Sequence, residues 1–233
     1  MFFTKGGFGE DRKDIGKLIK IFYESFANKK DQPALVLKTS GATFSILDNE
    51  DVKRKISEIK NMFPSDWNLP KVYLLHGDLT DEEINGLYNH PKIKSFVSLT
   101  HGEGFGRPLL EATFCDLPVI ASNWSGQVDF LSPSESVLLG GDLASIPKSV
   151  VWENVLIEES RWFNVNEDQV YKSLNYAHKE VDEINKKAKK LGNINRNKFS
   201  RNKMTEKLGN ILENFTKHLP TQVGLQLPKL QKV

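Results

Sequence analysis

Thr100-His101-Gly102-Glu103-Gly104-Phe105-Gly106-Arg107-Pro108-Leu109-Leu110-Glu111-Ala112 decides how this chain reads. It follows a short apolar run, Phe96-Val97-Ser98-Leu99, and opens a helical pattern from Pro108 to Cys115. Gly104 and Gly106 let the backbone approach a ligand closely and permit positive φ. Pro108 suits the first turn of a helix, where its missing N–H costs nothing. The free N–H groups and the dipole of that helix end attract an anion, most simply a phosphate. Glu103 precedes the helix and Glu111 lies one turn inside it. With phosphates at the helix end, each carboxylate can accept hydroxyl hydrogen bonds on its own side. A sugar, a diphosphate and a ribose in line have that layout.

Outward from this stretch, the first half of the chain alternates between two periods. Phe2-Phe3 is a short apolar run closed by the Gly6-Gly7-Phe8-Gly9 turn. Ile15, Leu18, Ile19, Phe22 and Phe26 form one helical stripe. Ala34 to Leu37 is a strand candidate ending at Lys38, and Val52, Ile56, Ile59 and Phe63 mark a second helix stopped by Pro64. Val72 to Leu75 is the next strand. Thr80-Asp81-Glu82-Glu83 is a capping box opening a helix through about Tyr88. Pro118 to Ala121 and Val137 to Leu139 complete the strands. Apolar runs separated by amphipathic helices predict parallel strands covered on both faces. The expected fold is α/β, a Rossmann-like doubly wound parallel sheet over about residues 1–145. Ligands on such sheets sit outside the carboxyl ends of the strands.

Residues 146–217 read as a connection and C-terminal helices. The pattern weakens from Gly140 to Phe163, a stretch holding Pro147, Trp152 and Trp162. Asn166 to Lys190 reads as one helix. Ser200 to Lys217 reads as another, with Ser200 as N-cap and Met204, Leu208, Ile211, Leu212 and Phe215 on one face. The tail, 218–233, contains Pro220, Gly224 and Pro228 and is expected to lack fixed structure.

A chain of 233 residues buries enough surface to need no disulfide or metal staple. Its formal net charge of +2 is too balanced for a nucleic-acid footprint. The single cysteine, Cys115, excludes an internal disulfide and a cysteine zinc site, and fits a reducing, cytoplasmic setting. No apolar run is long enough to span a bilayer, and the opening residues do not form a signal peptide.

Glu103 and Glu111, with seven residues between them, resemble the E-x7-E motif of retaining GT-B glycosyltransferases, above all group 1, glycosyltransferase family 4. The match extends through Glu103 to Gly106, Pro108 to Ala112, Leu117 to Ser122, and Ser125-Gly126 followed by Asp129. Arg12-Lys13 before a helix, Leu35 to Lys38 on a strand, and Phe199-Ser200 before the last helix are similar to that family's donor domain, so the resemblance covers about residues 1–217. It implies one half of a GT-B fold and transfer of a sugar from a nucleotide diphosphate sugar, with retention. Glu111 would hold the ribose, Glu103 would contact the donor sugar, and the backbone of Gly104, Phe105, Gly106, Arg107, Pro108 and Leu109 would face sugar and phosphates. Lys13 would neutralise the diphosphate, so neither a metal nor a cofactor besides the donor is expected. The family also carries an arginine shortly before the position of Lys13. Here Lys5 stands in for it, a point charge in place of a fork. The acceptor, of unknown identity, would be held by a second chain or by an N-terminal domain that precedes this one.

Plainer readings stand beside these. Arg12-Lys13 could be an ordinary charged helix start, although the macrodipole disfavours cations there. Lys38 could be a solvated strand end. His76 would border the base pocket or merely pack. His101 reads as a loop histidine satisfied by backbone, and Cys115 as a buried helix residue. Gly102-x-Gly104-x-x-Arg107 lacks the third glycine of a dinucleotide fingerprint. The alternatives to an enzyme are a non-catalytic nucleotide-sugar-binding module and a structural α/β domain lacking its acceptor partner.

Overall fold

The computed structural model describes residues 11–41, 43–217 and 219. The Phe2-Phe3 strand, Lys5 and, apart from Leu219, the tail lie outside the described residues. The chain divides into two units, Met1–Asn195 and Arg196–Val233.

In the first unit β1 (Leu35–Lys38) pairs in parallel with β2 (Val72–Leu75). β3 (Phe96–Ser98), β4 (Val119–Ser122) and β5 (Val137–Leu139) form a second parallel set in that order. These are the apolar runs read from the sequence. The intervening helices are α1 (Ile15–Phe26), α2 (Ile46–Lys60), α3 (Asp81–Tyr88) and α4 (Arg107–Phe114). The capping box of α3 forms as its sequence predicts: Glu83 N–H donates to Thr80 Oγ1, and Thr80 N–H donates to the Glu83 carboxylate.

α1 is buried on two sides. Leu18, Phe22 and Phe26 pack with Leu99, Ile120, Leu139 and Phe163, whereas Ile15, Ile19 and Tyr23 pack with Leu37 and Ile59. Burying a side chain of this size contributes about 1.5–3 kcal/mol, so α1 is fixed by its own apolar content. Its first turn therefore becomes a rigid platform.

Three expectations are corrected. The stretch from Gly140 to Phe163 holds an antiparallel pair, β6 (Gly141–Ser145) with β7 (Arg161–Val165). β6 opens on a glycine and flanks Leu143 and Ala144 with polar Asp142 and Ser145, so it presents no apolar run longer than two residues. Between Asn166 and Lys190 there are two helices, α5 (Glu167–Lys179) and α6 (Val181–Lys198), broken at Glu180. Val170, Leu174 and Ala177 are buried on α5, and Ile184, Ala188 and Leu191 on α6. That spacing runs through the break without a change of period, so the sequence shows none. Cys115 is the half-buried C-cap of α4, not an interior helix residue.

In the second unit α7 (Arg201–Thr216) starts at Ser200, whose side chain accepts from Lys203 N–H. The stripe predicted for it, Met204 to Phe215, is exposed. Among the described residues no helix is long and apolar enough to cross a membrane.

Candidate functional site

Two turns that precede helices meet at the site. The first runs from Asp11 to Asp14 before α1. Asp11 is buried, and its carboxylate accepts from the backbone N–H groups of Lys13 and Ile15. It thus satisfies the open helix end in place of the N-cap residue, Asp14, which makes no side-chain cap bond. Burial pushes the Asp11 carboxyl above its ordinary range, and those backbone donors pull it back.

The second turn runs from Thr100 to Gly106. Glu103 N–H donates to Ser125 Oγ at 2.7 Å, and the same hydroxyl donates back to the Glu103 carbonyl at 2.6 Å. Gly126 N–H donates to that carbonyl as well, at 3.0 Å. A Cβ at Gly126 would collide with the Gly104 carbonyl, so the close approach of the Ser125-Gly126 segment to the glycine turn requires glycine there. Behind them, buried Gln127 donates to Ser122 Oγ and to the Ser122 carbonyl, and Ser122 donates to the Thr100 carbonyl. Gly106 takes φ +88° as the N-cap of α4, a left-handed conformation natural to glycine. Among the described residues, the two chain neighbours aside, no atom stands within 4 Å of where a Cβ of Gly104 would project.

The predicted catalytic pair is brought together. Lys13 Nζ is ion-paired with the Glu103 carboxylate, and the two side chains are only 15% and 14% exposed. Burial lowers the Lys13 ammonium below its ordinary value, opposed by the hydrogen bond and charge of Glu103. Arg12 Nη1 lies 3.6 Å from Glu103 and donates to the Gly102 carbonyl at 3.0 Å. Glu111 lies at the other end, on α4, 37% exposed, with Arg107 Nε 2.9 Å from its carboxylate. Phe105 is 41% exposed and tilts against Phe130. Pro108 and Leu109 occupy the first turn of α4, and Leu109 is buried. Burial, reinforced by the charge of Glu111, pushes the Tyr88 phenol up to about 12.

Lys38 and His76 form a group of their own at the carboxyl ends of β1 and β2. Lys38 Nζ donates to the Gly77 carbonyl at 2.7 Å and lies 5.1 Å from the Phe44 ring centre. His76 Nε2 is 2.7 Å from Asp48 Oδ2, and its ring meets Phe44 edge-on. His101 is held by backbone, as expected, with Nδ1 2.7 Å from the Phe163 carbonyl. Trp124 stacks on Phe163 with its rings 5.8 Å apart. Lys5 lies outside the described residues. Among the described residues no cluster of three or more His, Cys, Asp or Glu could hold a metal ion.

Sequence reasoning missed Asp11 as the cap of α1 and Gln127 as the support behind the loop. It also missed Ser125 as the anchor of Glu103. The Ser125-Gly126 pair marked a turn, but the partner of a turn lies across the fold and leaves no local signal.

The model of the family described as glycosyl transferases group 1 matches residues 10–140. No curated protein sequence matches the chain. Among solved structures, sucrose-phosphate synthase from Thermosynechococcus elongatus is similar at 15% identity and a TM-score of 0.60, over 92% of this chain and 45% of that one. HepE of Anabaena, in complex with UDP-glucose, is similar at 14% and 0.56, over 87% and 46%. The C-terminal domain of the group 1 glycosyltransferase LpcC from Francisella tularensis is similar at 16% and 0.53, over 81% and 80%. At these identities the likeness is one of fold. The parallel α/β architecture is that of the C-terminal domain of a GT-B glycosyltransferase, and the chain spans just under half the length of the first two structures. The family model covers more than half of the chain, including both turns that carry Lys13 and Glu103, and the chain belongs to the glycosyl transferases group 1 family.

Proposed function

We propose that this chain is the donor-binding half of a retaining glycosyltransferase of family 4, which takes a sugar from a nucleotide diphosphate sugar. One observation carries the reading. Lys13 and Glu103, ninety residues apart, are ion-paired beside the glycine turn that leads into α4. Two opposite charges held largely out of water are costly to desolvate and contribute little to stability. They make sense where an incoming diphosphate takes the ammonium and a sugar hydroxyl takes the carboxylate. The backbone from Gly104 to Leu109 then faces the phosphates at the helix end, and Glu111 accepts from the ribose. Lys38 and His76 border the base, and Lys5 adds charge on the diphosphate. Lysine and the helix end do what a metal would do elsewhere, so the transfer is metal-independent and needs no cofactor besides the donor. We place the reaction in the cytoplasm. The acceptor binds on a further domain, in this polypeptide or in a second chain. HepE is in complex with UDP-glucose, which makes uridine diphosphate sugars the first donors to test.

Thermal unfolding in the presence of UDP, GDP and ADP sugars tests the reading, with wild type beside Glu111→Ala. A donor at a hundred times its dissociation constant adds about 2.7 kcal/mol, and each kcal/mol moves the midpoint of a domain this size by about 2–4 °C. A shift with one nucleotide class, lost in Glu111→Ala, supports the reading. A flat response to every donor in the folded protein sinks it and leaves a structural α/β domain. Donor binding without transfer when the acceptor-binding partner is supplied would leave a non-catalytic binding module.

A further inference from the structure

His101 lies between β3 and the glycine turn and is 3% exposed. Its backbone N–H donates to the Arg12 carbonyl at 3.0 Å, and its own carbonyl accepts from Phe163 N–H at 3.2 Å. The ring lies flat on Trp162, 3.9 Å between centres and 13° between planes. Nδ1 is 2.7 Å from the Phe163 carbonyl. A carbonyl only accepts, so Nδ1 carries the hydrogen, and in the neutral ring Nε2 is a lone pair. Among the described residues Nε2 has no hydrogen-bond partner. It faces Asp14 Oδ2 at 3.7 Å, and Asp14 is fully buried at φ 51°, with Lys17 Nζ 2.7 Å from the same oxygen. An apolar side chain would fill this space without leaving a buried nitrogen unpaired, an arrangement that costs about 1–3 kcal/mol. The polar edges of the ring therefore answer to something other than packing. They touch the turn that carries Lys13, the strand β7 and, through the backbone, the turn that carries Glu103.

We propose that His101 is a positioning residue for the Lys13–Glu103 pair, keeping the two turns in register with its Nδ1–H tied to the Phe163 carbonyl and its ring packed against Asp14. The inference rests on the donor-site reading above, because the pair matters only where a donor sugar and diphosphate meet it. It assigns the β6–β7 hairpin a part in the site as the far anchor of the clamp. In this arrangement Glu103 and Lys13 are set before the donor arrives. Losing the clamp should weaken the sugar contact of Glu103 and the diphosphate contact of Lys13, and spare the ribose end, which depends on Glu111.

The test compares His101→Leu, which fills the space without a donor, with His101→Asn, whose amide nitrogen takes the place of Nδ1. Calorimetry on the full chain gives the affinities for UDP and UDP-glucose. Amide exchange at Glu103 and Gly126, without ligand, reports the turn itself. His101→Leu should bind UDP-glucose about tenfold more weakly and UDP more weakly to a smaller degree, and His101→Asn should restore most of both. Exchange at Glu103 and Gly126 should speed up by about tenfold in His101→Leu while the amides of α5 stay protected. Unchanged affinities and unchanged exchange in folded His101→Leu overturn the proposal. A wild type that binds neither UDP nor UDP-glucose counts against the donor reading for uridine nucleotides, and the exchange arm then decides the clamp. If His101→Leu does not fold, His101→Met, which also lacks a donor, takes its place in both arms, with the same expected direction and the same overturning result.

Discussion

The two motif glutamates lie in opposite settings. Glu103 is 14% exposed, held by both ends of the Ser125 hydroxyl and charge-paired with Lys13. Glu111 is 37% exposed on a helix face, with Arg107, itself 78% exposed, as its ion-pair partner. One stretch of thirteen residues thus has a fixed end and a free end. The fixed end suits a group that must be in place when a bond breaks, because orientation set in advance lowers the barrier. The free end suits a group that binds by closing on its ligand. Removing charge at either end should therefore have unequal consequences.

The largest effect is expected at the fixed end. Lys13→Met leaves the largely enclosed Glu103 carboxylate, among the described residues, with Arg12 at 3.6 Å as its remaining cation, and should cost about 3 kcal/mol in urea unfolding, the low end for breaking a buried pair. Adding Glu103→Gln to it should recover most of the loss, since the penalty is the unpaired charge. A double variant as unstable as the single one would show that Lys13 acts through packing.

Next comes the pair behind the clamp. Burial raises Asp14 to about 7 and lowers His101 to about 4. Folded Asp14 keeps a proton that the unfolded chain has lost from about pH 4 upward, so its contribution falls as pH rises from about 4 to about 7. Folded His101 lacks a proton that the unfolded chain holds, so its contribution rises with pH from about 4 to 6.5. The two slopes offset each other. Asp14→Asn should tilt the stability curve upward across this range by about 1.4 kcal/mol per pH unit, and His101→Asn should tilt it downward by the same amount. Parallel curves for wild type and both variants would remove the buried pair as a titrating element.

The difference between the two ends also shows what a sequence reveals. α1 was legible because its stripe is apolar at helical spacing, and the parallel strands because each is a short apolar run. The capping box at Thr80 and the open helix end at Pro108 are local, so composition and spacing suffice. Lys13 was legible in part, since a cation before a helix start runs against the dipole and calls for a reason. Its partner was not, because ninety residues separate it from Glu103 and only the family resemblance linked them. Ser125 showed a turn but not its partner, because the Glu103 backbone it holds lies 22 residues away, and Asp11, although its cap bonds are local, stands three residues before the N-cap position, where the sequence reading did not look. The β6–β7 hairpin escaped because Gly141, Asp142 and Ser145 break up its apolar pattern, and the turn at Glu180 because the buried stripe passes through it unbroken.

A smaller effect is expected at the hinge between the two ends. Gly106 holds φ +88°, and a Cβ there costs about 1–2 kcal/mol from the left-handed conformation. Gly106→Ala should lower the urea midpoint by that amount and weaken nucleotide binding, because the first turn of α4 presents the backbone donors. A neutral substitution would mean that α4 can start elsewhere without loss.

The smallest effect is expected at the free end. Arg107 occupies the first position of α4, where the dipole disfavours a cation, and it precedes Glu111 in the weaker order for a helical ion pair. Arg107→Ala should change stability by less than about 0.5 kcal/mol. On the proposed donor reading Glu111 leaves that pair to take the ribose, so the substitution removes a competitor worth about 0.2–0.5 kcal/mol. Calorimetry with UDP should then show affinity unchanged or up to about twofold tighter. A loss of about tenfold would place the guanidinium on the phosphates. It would thereby supply, from α4, the fork that Lys5 lacks, and the free end would hold the donor by charge as well as by its ribose.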